Sequence, residues 1–465
     1  MLRRLLMRRA YNSQHWEKAR SHAFKLINIP KEQQLARSII VRSFFNQRRY
    51  EDVIKYVTDW KDKTLVTYEE RARDYLWHNN NQNNAVNFEP PPRIKQLQTK
   101  QPRPPIEVDW NASAMADNFI QVGERVWFRH PDGYVFWDMP VGFSLNKTHP
   151  DLLRLTAETL LYPWEKSTQK PFEGTRSTGN NVGLSYSAGT DSTAAAIVMP
   201  ENTILAYHRR SYTSLLDHRN AERMIKHMKQ DRGKEVVLID SNHELIRTFH
   251  NKQMGFSSDF ASGSHLILLA DYLDLAGIAF GMPIDNTWLW KGRKFRHFQK
   301  SEFFQYWKNR FLDAGLELYL PIAGVSEAGA MIICEKYGVT PFLNSCMRGD
   351  GLEGCGRCWK CFHKNGPLGR PFDIDSHEIS TFLQRRPMPT TTHALWALQT
   401  MNYGHKVPDL DHLLDRDYSW WTKVYPHSKE ILPELWREET WMKICQYLEL
   451  MDEPYEVESI NHFSE

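Results

Sequence analysis

Long hydrophobic runs are absent from this sequence. Its most apolar stretch, residues 266–283, is interrupted by Asp271 and Asp274, which excludes a membrane-spanning helix there. The amino terminus, MLRRLLMRRAYNSQHW, has four arginines but no long apolar core, which excludes a secretory signal. An organelle-targeting helix is the alternative to the interpretation we favour, a basic helix that opens the first domain. We expect a cytoplasmic protein without membrane contact.

The sequence has few cysteines and only a small net charge. The chain has six cysteines among 465 residues, and four of them lie within residues 346–361. Such a cluster in a chain of this length favours a metal site over a disulfide framework, and it implies a reducing compartment. With 59 basic and 56 acidic residues the net charge is +3, so the composition does not indicate a nucleic-acid partner.

The usual P-loop pattern, G-x-x-x-x-G-K-[S/T], occurs nowhere in the chain. A different phosphate-type sequence is present at residues 184–196, LSYSAGTDSTAAA. Strand-forming residues end at Tyr186, and small helix-formers begin just after Asp191. A tight turn between them would aim the free N–H groups of a helix amino terminus at one point. That geometry suits a phosphate or a pyrophosphate.

Several residues of this turn have an expected role. Gly189 allows the backbone to approach a ligand closely, and Ser187 and Ser192 offer hydroxyl donors. Asp191 would repel a phosphate, so we expect Mg²⁺ to bridge the two. The alternative is an ordinary N-cap, in which a serine or aspartate side chain satisfies the first helical N–H groups.

The region from residue 181 to about 345 alternates between strand and helix patterns. This alternation predicts an α/β fold with a parallel, doubly wound sheet that helices cover on both faces. In such sheets the ligand binds beyond the carboxyl ends of the strands. The predicted strands are residues 181–186, 203–210, 235–241 and 277–283. The predicted helices are residues 192–199, 214–230, 264–276, 301–315 and 326–338.

The remaining sequence predicts helical regions on both sides of this domain. An offset of 34 residues aligns Asn12 and Trp16 with Asn46 and Tyr50, which is typical of tetratricopeptide helix pairs; a generic helical domain is the alternative. A β-hairpin around residues 131–133 precedes a helix that begins at Pro150. The predicted divisions are a helical domain 1–77, a Pro/Asn-rich linker 78–108 without helix or strand, a small α+β unit 109–180, the α/β domain 181–369 and a helical region 370–465.

The four clustered cysteines follow the spacing C-x8-C-x2-C-x2-C, and they are Cys346, Cys355, Cys358 and Cys361. A glycine-bearing turn would let thiols converge that a regular helix keeps apart. Four thiolates suit tetrahedral Zn²⁺, and a closed four-sulfur shell would make that zinc structural. An iron–sulfur cluster and a redox-active Cys-x-x-Cys pair are the alternatives.

Residues 187–192, SAGTDS, resemble the SGGxDS signature of the PP-loop ATP pyrophosphatases, with Ala188 in place of the second glycine. The cysteine spacing narrows the resemblance to 7-cyano-7-deazaguanine synthase-like proteins. That family also has a Pro-containing segment, a helix and a Ser-Cys pair before its zinc knuckle, here residues 320–322, the helix from Glu327 and Ser345-Cys346. The resemblance spans roughly residues 180–365.

This sequence also departs from that family. Glu327 stands where the family has a lysine, and the family's Arg-Asn pair after the third strand is not evident in DFASGSH. Residues 1–180 and 370–465 have no counterpart in the small synthase. We therefore expect a synthase-like enzyme that works on an acid other than the deazaguanine.

The resemblance implies a fold of the adenine nucleotide alpha-hydrolase-like, HUP type and an ATP-dependent ligase. Such enzymes adenylate a carboxyl or carbonyl oxygen of a small-molecule acid, release pyrophosphate, and lose AMP when a nitrogen nucleophile attacks. The implied cofactors are ATP, Mg²⁺ and Zn²⁺, and the implied catalytic residues are Ser187, Asp191 and Ser192. The implied nucleotide contacts are Tyr186, Ser187, Ala188, Gly189, Thr190, Asp191, Ser192, Ala206, Tyr207, His208, Gly281 and Asp285.

Two other functions are compatible with the same residues. One is a thiolase of the same superfamily that acts on tRNA or on a sulfur-carrier protein, which would need a reactive cysteine near the loop. The other is a non-catalytic nucleotide-binding adaptor whose amino-terminal helical region binds a protein partner. The basic candidates for neutralising pyrophosphate are Arg209, Arg210, Lys291, Arg293, Lys294 and Arg296. The run 291–300 is either a mobile phosphate clamp or a solvated basic loop.

Overall fold

A computed structural model describes most of the chain. The described residues are 2–13, 15–47, 49–62, 64–66, 68–70, 72–73, 76, 92–211, 218–252, 254–346, 348 and 353–462. Residues 78–91 of the predicted linker and residues 214–217 of a predicted helix lie outside them. The chain divides into two compact units, residues 1–103 with 244–255, and residues 104–243 with 256–465.

The first unit is helical in its described residues. Its helices are Leu2–Asn12, Trp16–Phe24, Pro30–Asn46, Tyr50–Trp60, Pro92–Thr99 and Ile246–Phe249. The first four form two successive helix pairs, and the turns of the two pairs make the same backbone hydrogen bonds 34 residues apart. The His15 N–H donates to the Ala10 carbonyl, and the Arg49 N–H donates to the Phe44 carbonyl. The offset seen in the sequence is therefore an offset between two similar helical hairpins.

One expectation for the linker is wrong. Residues 78–108 were expected to contain neither helix nor strand, yet Pro92–Thr99 is a helix. Proline opposes a helix only in its interior, where it removes a backbone donor; at the first helical position its missing N–H and its fixed φ do no harm. Proline density alone is therefore a poor guide when the proline opens the helix.

The second unit is built on one eight-stranded sheet. Its strands are β1 Phe119–Val122, β2 Arg125–His130, β3 Gly133–Asp138, β4 Asn181–Tyr186, β5 Ile204–Arg210, β6 Val236–Ser241, β7 Leu275–Phe280 and β10 Glu317–Tyr319. Their spatial order is β1-β2-β3-β6-β5-β4-β7-β10. The five neighbouring strands β6, β5, β4, β7 and β10 run parallel to one another. Strands β1, β2 and β3 are antiparallel and extend the sheet beyond β6. A separate two-stranded ribbon pairs β8 Leu289–Trp290 with β9 Lys294–Phe295. The fold is α/β with a mostly parallel sheet, as predicted.

The order of the parallel strands identifies a crevice. Numbered along the chain, β4, β5, β6, β7 and β10 are the first to fifth parallel strands, so their spatial order is third, second, first, fourth, fifth. The direction of winding reverses between β4 and β7. Ligands of open parallel sheets bind at such a reversal, beyond the carboxyl ends of the two strands.

Helices cover both faces of this sheet. They are Pro150–Leu161, Thr190–Val198, Arg219–Gln230, Ser264–Leu268, Glu302–Asp313, Glu327–Lys336, His377–Gln384, Thr391–Thr400, Asp411–Leu414 and Glu434–Tyr447. One core contains Leu184, Ala195 and Ile333, and the other contains Phe280 and Trp307. In the described part of the chain, no helix is both long and apolar enough to cross a membrane.

Several elements differ from the sequence prediction: β1, β8 and β9 were not predicted, and two further differences lie in the parallel part of the fold. The helix expected over residues 264–276 ends at Leu268, and its last residues belong to turns and to β7. The three-residue strand β10, Glu317–Tyr319, was not predicted. A strand this short has no measurable period, and it exists because Glu317, Leu318 and Tyr319 pair with β7.

Candidate functional site

The turn after β4 leads directly into the helix Thr190–Val198. Ala188 has a φ of 57°, in the left-handed region where an alanine costs about 1–2 kcal/mol relative to glycine. Gly189 is extended, with φ −84° and ψ 173°. Gly281 follows β7, and a Cβ added there would lie 2.8 Å from the Ser192 Cα. Only glycine at position 281 lets β7 approach the turn this closely.

Two serines hold the turn together. The hydroxyls of Ser187 and Ser192 lie 2.9 Å apart, and the Ser187 N–H donates to the Ser192 hydroxyl at 3.2 Å. The N–H groups of Asp191 and Ser192, in the first turn of the helix, have no protein acceptor among the described residues. The turn therefore presents free backbone donors together with the partial positive charge of a helix amino terminus.

A cavity of about 470 Å³ lies at the carboxyl ends of β4, β5 and β7, a volume that suits a small-molecule ligand. The turn contributes Ser187, Asp191 and Ser192 to its lining. The cysteine segment lines it too, through Arg348, Trp359, Lys360 and two of the cysteines. The sequence did not predict that the cysteine segment forms a wall of this site.

The structure brings most of the predicted nucleotide contacts together. Tyr186, Tyr207, His208 and Gly281 line the cavity with the turn. The predicted contacts that do not line it are Ala188, Gly189, Thr190, Ala206 and Asp285. Ala206 is buried within β5, and its carbonyl accepts a hydrogen bond from His265 at 3.2 Å.

Only one of the six predicted basic candidates, Arg210, lines the cavity. Arg209 forms an ion pair with Asp240 at 2.6 Å. The run 291–300 contributes no residue to the lining. The other cations that line the cavity are Arg348 and Lys360 of the cysteine segment. The sequence signals for them were the CWKC pattern, which contains Lys360, and the CMR sequence that begins at Cys346 and contains Arg348; we had considered both only for their thiols.

Asp191 has a basic partner that the sequence analysis missed. The Lys364 ammonium lies 2.8 Å and 2.7 Å from the two carboxylate oxygens of Asp191, and it lies 3.8 Å from Glu327 Oε2. Lys364 is 5% exposed. The acid that seemed to require a metal is therefore neutralised by a buried lysine 173 residues away in sequence.

Lys364 lies among three carboxyl groups, Asp191, Asp285 and Glu327, whose pKa values do not all shift in the same direction. Burial would raise the pKa of Glu327, but the charge of Lys364 is the largest effect that opposes burial, and the pKa lies well below its usual value. Burial and the charges of Glu327 and Asp191 raise the pKa of Asp285 well above its usual value. Asp285 is fully buried. The pKa values of Asp285 and Glu327 are therefore shifted in opposite directions.

Glu327, His363 and His393 lie close enough to suggest a second metal site, but their hydrogen bonds argue against one. The Trp421 indole N–H donates to His393 Nδ1 at 3.2 Å, so the neutral ring carries its proton on Nε2. That N–H points at the His363 carbonyl, 3.0 Å away, and cannot ligate a metal. Burial lowers the pKa of His393 to about 3, which keeps the ring neutral. We interpret the cluster as an ion-pair network.

The four cysteines form a metal-binding geometry. Their sulfur atoms are separated by 3.6 Å, 3.6 Å, 3.6 Å and 3.9 Å for the four close pairs. A tetrahedral zinc with bonds of about 2.3 Å requires sulfur atoms about 3.8 Å apart. All four are free thiols, and three of them are buried. Together they could hold a metal such as zinc. We name residues 345–364 the knuckle segment.

Asp191 also fits Mg²⁺. A carboxylate has about four lone-pair positions, and Lys364 uses two of them at Asp191. The Asp191 side chain is 26% exposed and lines the cavity. Oxygen donors of this kind suit Mg²⁺.

Comparison with known proteins gives one match. A family model described as "Family of unknown function (DUF6395)" matches residues 306–463, about a third of the chain. The match includes the four cysteines, Lys364 and His393 but not the turn at residues 184–196. No curated protein and no solved structure matches the chain.

Proposed function

We propose that this protein is an ATP-dependent enzyme of the PP-loop type with a HUP-type α/β domain. It adenylates a carboxyl or carbonyl oxygen of a small-molecule acid, releases pyrophosphate, and then loses AMP to a nitrogen nucleophile. The reaction is that of 7-cyano-7-deazaguanine synthase-like enzymes, which the sequence resembles at residues 187–192 and at the four cysteines.

One observation carries the proposal. Asp191 and Ser192, whose N–H groups have no protein acceptor among the described residues, line a cavity at the reversal point of a parallel sheet, and cationic side chains line the same cavity. Backbone donors and cations that converge in this way stabilise the charge that builds up on departing pyrophosphate. Rings of His208, Phe256 and Phe280 line another part of the cavity and suit the flat adenine base.

The residues around the cavity have different roles in the proposed reaction. The turn residues and Lys360 bind the β- and γ-phosphates, and Ser187 and Ser192 donate hydroxyl hydrogen bonds to them. Asp191 would hold Mg²⁺, which would further neutralise the phosphates. Burial raises the pKa of Asp191; the Lys364 ammonium opposes that rise and orients the carboxylate without lining the cavity. Zinc at the four cysteines would have a closed sulfur shell and would therefore be structural.

The thiolase alternative receives less support. It needs a reactive thiol near the turn. Cys334 is fully buried, and burial raises the pKa of its thiol. Cys445 is exposed on the helix Glu434–Tyr447 and does not line the cavity. The cysteines that line the cavity, Cys346 and Cys358, belong to the four-sulfur cluster.

Calorimetric binding of ATP, pyrophosphate and AMP in the presence of Mg²⁺ tests the proposal. We expect ATP and pyrophosphate to bind, and ATP to bind more tightly than AMP because the turn holds the terminal phosphates. Lys360→Gln should weaken the binding of ATP and pyrophosphate by about tenfold or more, the value of one charge-assisted hydrogen bond. It should leave the affinity for AMP unchanged.

Lys291→Gln is the matched control, because it removes an exposed lysine that does not line the cavity. This variant should bind all three ligands as the wild type does. Binding of AMP and ATP with equal affinity by the wild type would refute the phosphate role of the turn. If none of the three ligands binds, the enzyme proposal fails.

A further inference from the structure

The knuckle segment touches the turn at two consecutive residues. The Thr190 N–H donates to the Ser345 hydroxyl at 3.1 Å, and the hydroxyls of these two residues lie 2.7 Å apart. At the next residue, Asp191, the carboxylate accepts both hydrogen bonds from Lys364. Ser345 directly precedes the first cysteine, Cys346. The contacts therefore come from the two ends of the knuckle segment.

Both contacts are made by buried side chains, so they are part of the folded structure and not chance surface contacts. Ser345 is 8% exposed and Lys364 is 5% exposed. The helix Thr190–Val198 has no capping side chain from its own amino-terminal residue, Gly189, so Ser345 caps it from a distant part of the chain. A capping hydroxyl stabilises a helix terminus because it accepts a hydrogen bond from an N–H group that has no partner within the helix.

The contacts that Ser345 and Lys364 make with the turn are both connected to the four-sulfur cluster. Cys361 begins a single π turn, Cys361–Asn365, that contains Lys364. The Asn365 amide donates to Cys361 Sγ at 3.5 Å, and the Cys346 N–H donates to the Asn344 side chain at 3.1 Å. Both flanks are therefore tied to sulfur-bearing residues, so a metal that joins the four sulfurs fixes Ser345 and Lys364 relative to each other.

We propose that the metal-loaded knuckle segment acts as a clamp that positions the turn, with Ser345 and Lys364 as its positioning residues. Loss of the metal should loosen the turn even where the rest of the sheet stays folded. The consequence for nucleotide affinity rests on the proposed function, whereas the clamp itself does not.

Hydrogen exchange of the nucleotide-free protein, followed by mass spectrometry, tests the clamp. In the zinc-loaded wild type we expect the peptide 184–196 to exchange slowly. Ser345→Ala should make its amides exchange at least about tenfold faster, because the cap is lost, while zinc content stays at that of the wild type. Removing zinc with a chelator should have the same effect on this peptide, and the increase in exchange should exceed that of the hairpin peptide 125–138.

Ser376→Ala is the matched control. Ser376 is also buried, and its hydroxyl donates to the Arg357 carbonyl of the knuckle segment at 3.0 Å. This variant should leave exchange of the peptide 184–196 unchanged. If chelation also speeds exchange of the hairpin peptide, the Ser345→Ala variant is the test of the clamp, because that variant keeps its zinc. Wild-type exchange of the turn in zinc-loaded Ser345→Ala would overturn the clamp, and failure of ATP to bind would overturn only the proposed function.

Discussion

Replacing Cys358 by serine should release the metal and strongly destabilise the second unit. Cys358 is 3% exposed, and its sulfur lies 3.6 Å from those of Cys346 and Cys361. Structural zinc contributes on the order of 10 kcal/mol gross in small zinc peptides, and we expect a net loss of roughly 5 kcal/mol here. Zinc content by atomic absorption and denaturation in urea measure the two effects.

Cys445→Ser controls for the loss of a thiol as such. Cys445 is exposed and lies outside the cluster, so this variant should keep both its zinc and its stability. Retention of zinc by Cys358→Ser, with an unfolding midpoint equal to that of the wild type, would contradict the metal assignment.

Lys364→Met should lower the free energy of unfolding by about 3–5 kcal/mol, the usual effect of removing one partner of a buried ion pair. Methionine fills similar volume but leaves Asp191 and Glu327 without their shared cation. Lys364→Arg should retain part of the stability because it keeps the charge. Urea denaturation at pH 7 measures the loss.

The same variant predicts a pH dependence. In the wild type the pKa of Glu327 is lowered, so Glu327 contributes stability above its unfolded pKa, about 4.3, and this stability is lost as pH falls through the folded pKa. The stability difference between wild type and Lys364→Met should therefore be largest near pH 7 and shrink as pH falls below about 4. A difference that is constant from pH 7 to pH 3 would show that the carboxylates are not involved.

Lys423→Met controls for the loss of a lysine ion pair. Lys423 lies 2.6 Å from Asp452, whose side chain is 85% exposed. Water screens such a pair, so this variant should be as stable as the wild type. An equal loss of stability in both variants would show that burial of Lys364 is not the cause.

Sequence patterns within short segments correctly predicted the elements whose formation depends mainly on residues close together in the chain. The alternation of apolar strands and amphipathic helices predicted β4, β5, β6 and β7, because buried parallel strands read as short apolar runs. The spacing of the cysteines predicted their convergence, because few arrangements other than a metal site place four thiols within so short a segment. Proline and glycine located the β2–β3 hairpin in the same way.

Long-range packing determined what the sequence did not predict. The hairpin joins the main sheet through β3 and β6, a pairing of Trp137 and Asp138 with Ser241 and Asp240 that no local signal encodes. The pairing of Lys364 with Asp191 joins residues 173 positions apart. His393 and Trp421, from a region in which we predicted only packing, contribute to the network around Glu327. Side chains that converge from distant elements leave no periodicity in the sequence.

The most direct test of the central claim is a crystal structure of the protein with ATP and Mg²⁺. We predict that the terminal phosphates lie within hydrogen-bond distance of the Asp191 and Ser192 N–H groups, with the adenine beside His208. Nucleotide bound elsewhere, with the turn empty, would contradict the account.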